Sequence, residues 1–94
     1  MDDRQAPLAE LQRRWLLLKI LNDDKTPVDF VVAMFIQVFK HSQTNALDLT
    51  VKIHNEGSAV AGIYTHEIAE QKITDATNLA RGHGFPLVLK AEAE

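Results

Sequence analysis

Ninety-four residues hold one domain, enough to bury a modest core without disulfide or metal staples. The absence of cysteine removes disulfides and thiolate metal sites and fits a reducing cytoplasm, while His41, His54, His66 and His83 show no pair at a metal-ligand spacing. Ten Lys and Arg against 13 Asp and Glu give a net charge of -3 with no basic cluster beyond Arg13-Arg14, so nucleic acid is not an expected partner.

In chain order, Met1-Asp2-Asp3-Arg4 opens acidic, without the basic start of a secretion signal, and residues 1–12 read as a polar, flexible tail ahead of a core domain over 13–94. No apolar run reaches the roughly 18 residues of a membrane span, so a soluble cytoplasmic protein is expected. Arg14 to Leu21 reads as a strand by its continuous apolar character. A turn follows over Leu21-Asn22-Asp23-Asp24-Lys25-Thr26-Pro27. Thr26 is the expected cap of a first helix, with Pro27 at its first position and Asp29 in its first turn, running to about Phe39. Phe30 to Ile36 is apolar throughout and covers more circumference than one core stripe needs, so part of it must meet another element or a ligand.

Ser42 or Thr44 caps a second helix through about His54 or Asn55, with Ala46, Leu49 and Ile53 facing inward and Gly57 as its stop. Ala59 to Tyr64 reads as a strand. Thr65 caps a third helix to about Arg81, closed by Gly82 and Gly84, and Pro86 to Ala91 forms a last strand whose proline demands an edge or a strand start. The order strand-helix-helix-strand-helix-strand gives an α+β domain, three helices on a three-stranded sheet.

Asn22, Asp23 and Asp24 put one side-chain amide and two carboxylates on a single turn, which offers several acceptors to a small cation. The plainer reading is a turn whose Asn and Asp bond their own backbone. His54 likewise has a plain reading as a cation at a helix C-terminus. That reading conflicts with a role as acceptor, which requires the neutral ring.

Three further segments follow that turn: Val51-Lys52-Ile53-His54-Asn55-Glu56-Gly57, Ala61-Gly62-Ile63-Tyr64-Thr65-His66-Glu67-Ile68-Ala69-Glu70-Gln71-Lys72, and Gly84-Phe85-Pro86-Leu87. In this order and spacing the four resemble the ClpS family, bacterial adaptors that hand substrates with destabilising amino-terminal residues to a Clp protease. The resemblance covers about residues 14 to 94. It implies that a free α-amino group is held by the Asn22 side-chain oxygen, by Asp24 through water and by a ring nitrogen of His54, with Asp23 supplying field and turn geometry. It also implies an apolar pocket for a first Leu, Phe, Tyr or Trp, walled by Thr26, Pro27, Val28, Val31, Thr50, Ile53 and Leu87. Val28 and Thr50 depart from the commoner family pattern, a methionine at the pocket mouth and a larger apolar residue, and point to a divergent second copy. Glu67 and Lys72 match family positions that face the amino-terminal domain of the AAA+ ATPase, of the ClpA type.

The ribosomal stalk protein's carboxy-terminal domain shares this fold, so a generic protein-interaction domain is the alternative reading. An acid-base enzyme built on Asp23, Asp24 and His54 finds no nucleophile elbow, phosphate loop or metal motif in support. The expectation is a non-enzymatic adaptor with no cofactor and no metal, partnered by an ATPase and by N-degron proteins.

Overall fold

The computed structural model describes residues 15–93. The expected tail over 1–12, the Arg13-Arg14 pair and Glu94 lie outside the described residues. Three strands, β1 (Trp15–Leu21), β2 (Ser58–Thr65) and β3 (Val88–Ala93), and three helices, α1 (Val28–Gln37), α2 (Gln43–Glu56) and α3 (His66–Gly82), follow one another as β1-α1-α2-β2-α3-β3. The sheet is antiparallel with order β2-β1-β3. This is the α+β architecture expected from the sequence.

β1 is central because its alternate residues Leu18 and Ile20 are fully buried, and it pairs Ile20 with Ala59 on one side and with Leu89 on the other. Against these lie Met34 and Phe35 of α1, Ala46 and Ile53 of α2, and Ala69, Ala76 and Ala80 of α3. The alanines recur on one face of α3, and their small side chains let that helix backbone come close to the layer beneath it. A bulge between Leu18 and Lys19 leaves Ala61 as an extra residue in β2, since Leu18 faces Gly62 and Lys19 faces Val60. The imidazole of His41 donates from Nε2 to the Ala61 carbonyl, which fixes the proton on that nitrogen.

Three expectations about where elements start are met only in part or not at all. Thr26 does not cap α1: Pro27 holds that position, its carbonyl accepting from the N–H groups of Phe30 and Val31 at 3.1 and 3.2 Å. The Thr26 hydroxyl instead donates to Asp23 Oδ2 at 2.7 Å, a charge-assisted bond that holds the side chain toward the turn. Thr65 occupies the cap of α3 without a side-chain bond. β3 starts at Val88 rather than Pro86 and is an edge strand, in keeping with a proline that cannot join the ladder.

Around α2 the reading holds. Ser42 accepts from the Asn45 N–H at 3.1 Å, and Gly57 ends the helix in the left-handed region at φ 91°. Gly57 also accepts from the Asn22 N–H at 2.8 Å. That bond ties the acidic turn to the end of α2 that carries His54. On the other side, Phe30 meets Phe85 edge-on with centroids 4.9 Å apart, which holds the chain after α3 against the first turn of α1. Leu87 is thereby brought beside the same turn.

Candidate functional site

The turn after β1 is built by Asp23. Its Oδ1 accepts from the backbone N–H of Lys25 at 2.8 Å and of Thr26 at 2.7 Å, and its Oδ2 accepts from the Thr26 hydroxyl. Burial pushes the Asp23 carboxyl up, but these three hydrogen bonds and the Lys25 ammonium outweigh it and hold the group below its ordinary 3.8. Asp23 is therefore committed to the turn. Asn22 and Asp24 are exposed and make no side-chain hydrogen bond to another described residue.

Beside that turn a cavity of about 240 Å³ opens between β1, α1, α2 and the segment before β3. Asn22, Asp23, Asp24 and His54 line it, as do Thr26, Val28, Val31, Thr50, Ile53 and Leu87. The structure thus brings together all the expected site residues except Pro27, whose place is the cap of α1, and the pair Glu67 and Lys72. It adds Leu21, the last residue of β1, whose membership was readable only from its position just before the turn.

The lining is graded. Val31, Ile53 and Leu87 are buried, Val28 is 60% exposed and stands at the rim, and Asn22, Asp24 and His54 are exposed. Two hydroxyls sit among the buried walls: Thr26, bonded to Asp23, and Thr50, which donates to the Ala46 carbonyl at 2.7 Å within α2. Acceptors with free capacity at an open rim, above an apolar floor, suit a primary ammonium attached to an apolar side chain. At 240 Å³ the space falls below the roughly 300 to 1,000 Å³ typical of small-molecule sites and fits one large side chain rather than a cofactor. Among the described residues no group of three or more His, Asp or Glu is placed to hold a metal ion.

Glu67 and Lys72 lie apart from the cavity on α3. Glu67 is exposed in the first turn, where its charge suits the positive helix end. Lys72 reaches α1: its Nζ donates to the Val38 carbonyl at 2.8 Å and stands 5.3 Å from the Tyr64 ring centroid and 5.9 Å from that of Phe39. α1 has no basic residue in its last turn, so Lys72 supplies from a neighbouring helix the positive charge that its carbonyl end favours. Sequence spacing could not show this contact, which spans 34 residues.

Fold and site together define a small α+β adaptor-like domain with an acceptor rim above an apolar cavity. The family model described as "ATP-dependent Clp protease adaptor protein ClpS" matches residues 12–90. The chain is 46% identical over 68 residues to the ATP-dependent Clp protease adapter protein ClpS of Helicobacter hepaticus, covering 72% of this chain and 69% of that one. It is 45% identical over 73 residues to the ClpS of Treponema denticola, covering 78% and 72%. The structure of Agrobacterium tumefaciens ClpS2 bound to L-phenylalaninamide superposes with a TM-score of 0.83 at 36% identity, covering 86% of this chain and 98% of the other. The chain belongs to the ClpS family of Clp protease adaptors.

Proposed function

We propose that this protein is a non-enzymatic cytoplasmic adaptor that binds the free α-amino group and bulky apolar first residue of N-degron substrates, Leu, Phe, Tyr or Trp, and delivers them to a Clp ATPase-protease. The observation that carries the reading is the pairing of uncommitted acceptors on Asn22, Asp24 and His54 with the buried floor of Val31, Ile53 and Leu87 in one cavity. The relative solved with L-phenylalaninamide supports it, since that molecule presents a free amine beside a benzyl group.

In this reading the ammonium, with a pKa of about 7.7 to 8 and so largely charged at neutral pH, meets the Asn22 side-chain oxygen, a ring nitrogen of neutral His54 and, through water, Asp24. Asp23 holds the turn in shape. Charge-assisted bonds contribute about 1.5 to 3 kcal/mol each, and burying the side chain against the floor and the walls formed by Thr26, Val28 and Thr50 adds about as much. Pro27 acts indirectly, by setting the start of α1. After the cost of association the sum corresponds to roughly micromolar affinity. Glu67 and Lys72 mark the face of α3 that meets the amino-terminal domain of a ClpA-type ATPase, with residues 13–94 as the binding domain and 1–12 as a tail.

Fluorescence anisotropy with one labelled peptide carrying Leu, Phe, Tyr, Trp, Ile, Ala or Arg at a free amino terminus tests this. Binding confined to the bulky apolar termini and abolished by acetylation is the expected result. Absence of binding by all of them sinks the reading and leaves a generic interaction domain of the same fold.

A further inference from the structure

The O–H donors of the cavity's two hydroxyls are already engaged within the protein. A threonine hydroxyl carries one donor and two acceptor sites. Thr26 donates to Asp23 Oδ2 and Thr50 donates to the Ala46 carbonyl, both at 2.7 Å, so each presents acceptor capacity alone to anything else. Both are buried, at 9% and 6% exposure, and both line the cavity. The remaining deep walls, Val31, Ile53 and Leu87, have no polar side-chain atoms.

Thr50 stands at the depth that matters. It lies four residues before His54, just over one helical turn or about 6 Å along the same face of α2. His54 is exposed at the rim and Thr50 is buried among the walls, so a side chain entering from an ammonium held at His54 runs inward toward Thr50. We infer that Thr50 is a specificity-determining residue which accepts a hydrogen bond from a donor at the tip of the ligand's first side chain, so that the cavity ranks Tyr above Phe. The inference rests on the proposed reading of the site. Phe leaves the Thr50 oxygen without a ligand donor, whereas a phenol offers its O–H to it.

The experiment measures Tyr- and Phe-initiated peptides, identical after the first residue, against the wild-type protein, Thr50→Val and Thr50→Ser. Reading the Tyr-to-Phe affinity ratio within each protein cancels any general effect of the substitution on the cavity. The wild type is expected to favour Tyr by about threefold to tenfold, the range one net hydrogen bond supports. Thr50→Val, nearly the same shape without the oxygen, brings the ratio to one or below, and Thr50→Ser restores it. A 4-fluorophenylalanine peptide on the wild type gives an answer free of any folding defect: similar in length to tyrosine but unable to donate, it follows Phe. A wild-type ratio of one, a ratio unchanged in Thr50→Val, or 4-fluorophenylalanine matching Tyr each overturns the role of Thr50 while leaving amine recognition intact. Failure of every free-amine peptide to bind overturns the underlying reading, and the inference with it.

Discussion

Asp23 binds nothing outside its own turn, yet the site depends on it. Removing its carboxylate in Asp23→Ala leaves two N–H groups and the Thr26 hydroxyl without their acceptor. Water replaces part of that at a half-exposed position, so the expected loss is about 1 to 2 kcal/mol in urea unfolding, accompanied by weaker peptide binding. The sign of its pH dependence follows from its depressed folded-state pKa. Its contribution is fully present above the ordinary 3.8 and disappears as pH falls through the lower folded value, and Asp23→Ala removes that component of the acid unfolding curve. The ligand amine must be charged, so affinity is expected to fall on the alkaline side above about pH 8. His54→Ala takes an acceptor ring nitrogen from the rim and should weaken peptide binding measured by anisotropy; an unchanged affinity removes His54 from the contact. That Asp23 would bond its own turn was readable from the Asn and Asp clustered there, but the partner of the Thr26 hydroxyl was not. A helix N–H and an aspartate were both within local reach of its hydroxyl, and sequence does not rank them.

Strand and helix identities were legible wherever a residue imposes its own geometry. Gly57 stops α2 in a conformation glycine adopts freely, and Ser42 starts it with a side-chain bond. α1 is two residues shorter than its apolar pattern implies, because Val38 and Phe39 continue the pattern while the chain turns toward Lys40 at φ 61° and the Phe39 ring goes into the core. The charge that completes α1 comes from Lys72 on α3, and this alters how a docking experiment is to be judged. Lys72→Ala removes a bond to the Val38 carbonyl and two cation–π contacts, so it should cost about 1 to 2 kcal/mol of stability whether or not an ATPase is present. Glu67→Ala, at an exposed position, is expected to stay within about 0.5 kcal/mol of wild type. Loss of ATPase binding in Glu67→Ala with an unchanged unfolding midpoint therefore supports docking on α3. Loss in Lys72→Ala alone, matched by a lowered midpoint, reports on α1 instead.

At the scale of the molecule, β1 separates two ends. Leu21 closes the strand at the cavity, whereas Trp15 opens it opposite Thr65 of β2, six residues or about 20 Å away. The sheet order that places these ends could not be read from local pattern, since β1 pairs with strands whose residues lie some 40 and 70 positions further along. The gathering of the site was expected only from the family resemblance, not from local pattern: the turn, the end of α2 and Leu87 converge because each flanks an element that packs on the same core. Residues before Trp15 attach at the end of β1 remote from the cavity. A protein reduced to residues 13–94 is therefore expected to bind an N-degron peptide within about twofold of the full chain by anisotropy, because the cavity's walls all lie within 21–87. Degradation of a reporter protein by the Clp ATPase-protease, measured with the same truncated protein, isolates what the first 12 residues add. Equal affinity with slower degradation assigns them to delivery. A clear drop in peptide affinity would instead make them part of the binding site and break the division at residue 13.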